Sequence, residues 1–256
     1  MLNIILLNLG EIMKKVLAGL VLSSAILLAN GKFVTYEVDG KKYEGYYSSP
    51  SKDAPLVYMV HDWDGVTDYE VKRAQMLSDM GYATFAVDLF GKDVRPTETA
   101  QKKKLTGSLY KDREKMRALL NAGLETAKKE GANINNAIGV GYCFGGAAIL
   151  EMARSGVELK KFIPFHGGLT TPKGQDYSKT KGEIVVFHGS ADKSVSMQDF
   201  ANLTVELETA GIAHEMHTYS GAPHAFSVIG SNRYHKRADE SSWARFSEVL
   251  DETLKK

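Results

Sequence analysis

Alternating strand-type and helix-type segments predict an α/β fold, with a mostly parallel, doubly wound sheet and helices on both faces. Three observations carry the prediction. A short all-apolar run at 56–60 and a mainly apolar one at 83–89 read as buried strands, covered on both faces. Segments of helical periodicity separate these runs. A length of 256 residues, 43% hydrophobic and 25% charged, suits one α/β domain with a single large core, placed here at residues 32–256.

The elements follow in order. Residues 33–38 and 43–47 flank Asp39-Gly40, a strong hairpin signal, and are expected as antiparallel edge strands. The strand at 56–60 is followed by a helix at 69–80, with Val71, Ala74, Met76 and Leu77 apolar and Gly81 closing it. After the strand at 83–89 comes a loop with Gly91 and Pro96, then helical segments at 98–109 and 112–130. Residues 90–112 are expected to cap a pocket and help set specificity, and Lys102-Lys103-Lys104 within them reads as a solvated helix face. Further strands are expected at 137–141, 162–165, 184–188 and 214–219, and further helices after Gly146, at 197–210 and at 239–254. No repeat, low-complexity tract or linker interrupts the pattern.

Residues 139–146 read Gly-Val-Gly-Tyr-Cys-Phe-Gly-Gly and hold the single cysteine of the chain, Cys143, with glycines at −2 and +2. A strand-type run precedes it and a helix-type run follows. That is the pattern of a nucleophile elbow, with cysteine where serine usually stands. A sharp strand-to-helix turn strains the nucleophile's backbone, and side chains at ±2 would collide across it. It also puts sulfur at a helix N-terminus, where the dipole favours thiolate and free N–H groups can hold an oxyanion. A buried structural cysteine beside a glycine turn fits the local pattern as well.

An elbow nucleophile needs a base, and the base an orienting acid. In α/β-hydrolases they follow in the order nucleophile, acid, histidine. Residues 183–195 form an apolar strand ending in a small-residue turn that carries Asp192. Residues 217–226 run from a strand into a Gly/Pro loop that carries His224. All three residues therefore lie just past strand C-termini, where open α/β sheets assemble their sites. His224 would take the Cys143 proton, and Asp192 would fix its tautomer. Among the seven histidines, His188 is expected to support the Asp192 loop, and His166 to line the cleft. His214, His217 and His235 read as strand or helix-surface residues.

Four segments together resemble the dienelactone hydrolase family of α/β-hydrolases: Gly-Tyr-Cys-Phe-Gly-Gly at 141–146, His-Gly-Ser-Ala-Asp at 188–192, Ser-Gly-Ala-Pro-His-Ala-Phe at 220–226, and Met-Val-His-Asp-Trp-Asp-Gly-Val at 59–66. The resemblance spans roughly residues 33–253. It implies the α/β-hydrolase fold, Cys143, Asp192 and His224 as triad, and an oxyanion hole from the backbone N–H groups of Phe144 and Trp63. The sequence departs from the family at two places. Asp62 stands where the family's glutamate meets the resting thiol, one methylene shorter, and is expected to modulate the nucleophile or shape the pocket. Val228 stands four residues after the histidine, where dienelactone-cleaving members carry a carboxylate-binding arginine. Arg95, Arg113 and the lysines at 102–104 offer cations without a clear match, and lysine lacks arginine's fork.

The expected function is hydrolysis of a small ester or lactone through an acyl-thioester. The alternatives are a broad carboxylesterase or thioesterase, or a non-catalytic binding protein on the same fold. No cofactor or metal is expected: His214 and His217 are three apart on a strand and face opposite sides. The formal charge of +1 and the lack of a basic stripe with aromatics exclude nucleic acid as a partner. A monomer is expected.

The N-terminus reads as a secretory signal peptide. Met13-Lys14-Lys15 is a charged start, 16–28 an apolar core and Ala29-Asn30-Gly31 a small-residue cleavage region. Translation is expected to begin at Met13, because residues 1–12 lack a basic region. A periplasmic or secreted protein follows, without stable membrane association once the signal is cleaved, since the core is shorter than the roughly 20 residues of a spanning helix.

Overall fold

The computed structural model describes residues 31–255. The predicted signal peptide falls almost entirely outside them. Eight strands form one sheet: β1 (Lys32–Val38), β2 (Lys41–Ser48), β3 (Pro55–Val60), β4 (Ala83–Val87), β5 (Asn133–Tyr142), β6 (Lys161–Phe165), β7 (Glu183–Gly189) and β8 (His214–Tyr219). Their order across the sheet is β1-β2-β4-β3-β5-β6-β7-β8. Both pairings of β2 are antiparallel and the remaining pairings are parallel. The helices are α1 (Asp68–Asp79), α2 (Thr99–Lys111), α3 (Arg113–Lys129), α4 (Phe144–Arg154), α5 (Met197–Ala210) and α6 (Lys236–Leu254). This is the α/β-hydrolase fold, mostly parallel and covered on both faces.

Strand alternation divides the core in two. Leu56, Tyr58 and Val60 of β3 join Phe85, Leu120, Ile149 and Leu207 on the face under α3, α4 and α5. Val57 and Met59 join Leu77, Ile138, Phe165, Phe246 and Leu250 on the face under α1 and α6. With both faces covered, β3 and β4 contain no exposed residue, which is why both read as predominantly apolar runs, interrupted only by Thr84.

Several boundaries differ from those the sequence predicts. Of the two hairpin strands, β1 alone lies at a sheet edge; β2 is interior, hydrogen-bonded to β4, and Tyr43, Tyr46 and Tyr47 are buried. β4 stops at Val87 because the buried Asp88 carboxylate turns the chain, accepting the N–H groups of Phe90 and Gly91. β5 starts at Asn133, ahead of its apolar run, by pairing with Pro55 across a register shift. α6 starts earlier because His235 Nδ1 caps it, accepting the Ala238 N–H at 3.2 Å. Lys102 does not belong to a solvated face. It turns inward, pairs with Asp64 at 2.5 Å and lies 5.2 Å over the Trp63 ring, joining α2 to the loop after β3. Lys103 and Lys104 are exposed.

Candidate active site

The site assembles at the carboxyl ends of β3, β5, β7 and β8. β5 ends at Tyr142, α4 begins at Phe144, and Cys143 is the single residue between them. Its φ of 52° and ψ of −110° put a β-carbon-bearing residue in strained backbone territory. The strain is sustained by surroundings that leave no alternative. The Cys143 N–H donates to the Phe165 carbonyl at 3.1 Å. A β-carbon on Gly141 would lie 2.1 Å from the Gly145 carbonyl oxygen, and one on Gly145 2.2 Å from that of Val60. The two glycines are therefore steric conditions for the elbow.

His224 lies in the turn after β8 and Asp192 in the turn after β7. His224 Nε2 is 3.0 Å from Cys143 Sγ, and His224 Nδ1 is 2.8 Å from Asp192 Oδ2. The other carboxylate oxygen of Asp192 accepts the N–H groups of Ser194 at 2.7 Å and Val195 at 2.9 Å. Burial opposes ionisation of Asp192, but the hydrogen bond and charge of His224 and these two N–H groups hold its pKa below the usual carboxylate value. Burial likewise opposes protonation of His224. Hydrogen bonds to Asp192 and Cys143, with the negative charge of both, outweigh it and raise the imidazole to about 10.

Phe144 is the first residue of α4, so its N–H has no partner within the helix. Trp63 lines the same cavity as Cys143 from the loop after β3. This cavity measures about 260 Å³ and is bounded by Asp62, Trp63, Asp64, Ser194, Val228 and Arg233 around Cys143 and His224. A larger cavity of about 580 Å³ lies between residues 171–178 and α5, and no triad residue lines it. The smaller cavity is the one that Cys143 and His224 line.

Asp62 faces the cavity but makes no hydrogen bond to Cys143 among the described residues. Its Oδ1 accepts the Asp64 N–H at 2.7 Å, fixing the loop. Burial raises its pKa to about 6, with Asp64's charge adding to the shift and the Asp64 N–H, Lys102 and Arg233 opposing it. His166 departs from expectation. It is fully buried behind the triad, does not line the cavity, and its ring centre lies 5.6 Å from that of His224. His188 is buried beneath the Asp192 turn, with Nε2 3.2 Å from the Val195 carbonyl oxygen. His217 stacks on Phe187 at 5.2 Å between ring centres.

Arg95 and Arg113, candidate cations from the sequence, are engaged elsewhere: Arg95 binds backbone carbonyls around Val66 and Val94, and Arg113 pairs with Glu151. Arg233 is the cation that lines the cavity, and sequence reasoning missed it. The loop 226–235 folds back on itself through Val228–Ser231, Ser231–Tyr234 and Phe226–His235 backbone hydrogen bonds, which local pattern does not announce. Among the described residues, no group of three or more His, Cys, Asp or Glu side chains is placed to hold a metal ion.

Comparison with known proteins bears on the family and the fold. The family model described as the dienelactone hydrolase family matches residues 43–254. A carboxymethylenebutenolidase of Pseudomonas putida is 25% identical over 204 residues, covering 77% of this chain and 85% of that protein. Two solved structures superpose at 25% identity over 88% of this chain and 98% of theirs: m3DLH, with a TM-score of 0.82, and P91, a dienelactone hydrolase-like promiscuous phosphotriesterase from metagenomic libraries, with a TM-score of 0.81. With a family model covering nearly the whole described chain and this fold beneath it, the protein belongs to the dienelactone hydrolase family.

Proposed function

We propose that this hydrolase of ester or lactone bonds works through Cys143, His224 and Asp192 by way of an acyl-thioester. The observation that carries the reading is the unbroken line from Asp192 through His224 to Cys143 Sγ at the elbow. With the His224 imidazolium beside it, sulfur attacks the substrate carbonyl as the nucleophile. The N–H groups of Phe144 and Trp63 face the developing oxyanion. His224 then gives its proton to the departing alkoxide, and the C–O bond breaks to leave the thioester. In a lactone that alkoxide stays tethered to the acyl group. In the second half, His224 takes a proton from water as the water attacks the thioester carbonyl, and sulfur leaves.

The chain is further proposed to act after export, on the strength of the charged, apolar and small-residue succession at 13–31. Fractionation of cells that express the full chain tests this: cytoplasmic protein of uncleaved mass would refute it.

The chemistry is tested by ring opening of a dienelactone and hydrolysis of an uncharged aryl ester, each with the wild-type protein and Cys143→Ala. Turnover of either substrate that disappears in the variant is expected. Full turnover without the sulfur would sink the mechanism. Hydrolysis of the aryl ester alone would favour the broad carboxylesterase reading, for which Val228 in place of a cation is the supporting observation.

A further inference from the structure

Ser227 follows His224 by three residues in the same turn, which closes with the Val228 N–H on the Ala225 carbonyl at 3.1 Å and holds Ala225 at a φ of 63°. Its side chain is fully buried beneath the catalytic surface. The hydroxyl oxygen is 2.8 Å from His166 Nε2 and 3.1 Å from the Tyr69 hydroxyl, and the carbonyl oxygen accepts Arg73 Nη2 at 2.9 Å. Arg73 in turn is paired with the buried Asp239 of α6. The turn that carries His224 is thus held from below by α1, α6 and the end of β6.

His166 makes no hydrogen bond to Cys143, Asp192 or His224, yet it is held in a demanding conformation. Its φ is 40°, its N–H donates to the Phe187 carbonyl at 2.8 Å, and its ring meets those of His224 and Phe226 edge to face. Nδ1 has no hydrogen-bond partner. An apolar side chain would fill this volume without the desolvation cost of a half-satisfied imidazole. A hydrogen bond instead gives direction, and a fully enclosed one fixes a single arrangement. We propose that Ser227 and His166 form a brace that positions the His224 imidazole between Asp192 and Cys143, so that both are positioning residues for the hydrolytic site.

The brace suits its neighbour electrostatically. Burial holds the His166 pKa well below that of free imidazole, and the charge of His224 pushes it further down, so His166 stays neutral beside an imidazolium. The titratable or charged groups around His224 are Asp192 after β7, His188 at the end of β7, Cys143 at the head of α4, His166 after β6, and Asp62, Asp64 and Arg233 across the cavity.

The proposal rests on the triad reading, and the test keeps the two apart. Turnover of an aryl ester by the full chain is measured from pH 5 to 11 for wild type, Ser227→Ala, His166→Phe, His166→Gln and the Ser227→Ala/His166→Phe double variant. Expected are a roughly tenfold fall in kcat for Ser227→Ala and His166→Phe, and a KM within about twofold of wild type. The alkaline limb of the kcat profile should move down by about one pH unit, because a displaced imidazole loses its anionic partners. The double variant should be no worse than the worse single, since one hydrogen bond is lost in both. The Gln amide, which can place a nitrogen where Nε2 lies, should recover most of the loss. Wild-type kcat and profile in Ser227→Ala, or additive losses in the double variant, would overturn the brace. If Ser227→Ala does not fold, the histidine pair decides, and a Gln variant no better than Phe overturns it. Cys143→Ala that retains turnover would instead sink the triad reading beneath it.

Discussion

The sulfur of Cys143 lies 3.0 Å from Nε2 of His224, on the opposite side of the ring from the Asp192 carboxylate. The imidazole is therefore flanked by two groups that both favour its protonated form. A neutral base waiting to deprotonate a hydroxyl, the arrangement of serine triads, has only one.

Asp192→Asn tests that relationship. The amide keeps an acceptor for the Ser194 and Val195 N–H groups but removes the charge that holds the imidazolium. Because Asp192 raises the His224 pKa, its loss lowers that pKa from about 10. The alkaline limb of the rate profile should fall with it. A drop in kcat of about two to four orders of magnitude is expected, in the range seen when a triad acid is neutralised. Steady-state kinetics across pH 6–11 checks both, and an unmoved alkaline limb would separate Asp192 from His224 function.

The elbow, the acid and the histidine were legible because each sits at a strand end and carries a local sign: glycines at ±2 of Cys143, a small-residue turn at Asp192, a Gly/Pro loop at His224. The sheet was legible where β3 and β4 are buried on both faces. What escaped depends on contacts distant in sequence. The run Lys102-Lys103-Lys104 gave no sign that its first lysine turns in to meet Asp64, 38 positions away. His166 followed a strand end as the triad residues do, but its partner Ser227 is 61 positions on. Arg233 reaches the cavity through a loop with no periodicity to read.

Gly141→Ala should show how little room the elbow leaves. Its β-carbon would meet the Gly145 carbonyl at 2.1 Å, backbone against backbone, with no flexible side chain to yield. A loss on the order of 1–3 kcal/mol is expected from such overpacking. Thermal unfolding should then move down by roughly 2–4 °C per kcal/mol for a domain of this size. Gly107→Ala, at a helical glycine with nothing within 4 Å of the added carbon, is the control and should hold the midpoint or raise it by a few degrees, since alanine is the better helix former by about 1 kcal/mol. Equal midpoints for both variants would contradict the steric account.

Asp239→Ala removes one half of the buried pair with Arg73, whose side chains are 1% and 8% exposed. The guanidinium would keep the Ser227 carbonyl but lose its counter-charge, and the Tyr234 hydroxyl would lose the acceptor it holds at 3.1 Å. Breaking a buried pair by deleting one partner costs about 3–5 kcal/mol. Urea unfolding of the variant measures this directly, and a loss below about 1 kcal/mol would mean that water reaches Arg73.

Asp62 offers a prediction of the opposite sign. Burial raises its pKa to about 6, so the folded protein prefers the neutral carboxyl and the unfolded chain the ionised one. A raised carboxyl contributes stability that is present below its unfolded pKa of about 3.9 and lost as pH rises through 6. Asp62→Asn removes that penalty and keeps an oxygen for the Asp64 N–H, which Oδ1 accepts at 2.7 Å. The variant should be more stable than wild type at pH 8, by on the order of 2 kcal/mol, and about equal to it at pH 4. Glu70, whose own pKa is raised to about 8 by burial and then by the charge of Asp62, should titrate lower in the variant and add to the gain near neutrality. Urea midpoints at pH 4 and pH 8 decide it. If Asp62→Asn is destabilised at pH 8, the carboxylate must be held by Lys102 and Arg233 more strongly than burial opposes it, and the pocket then keeps its negative charge for a reason tied to the nucleophile.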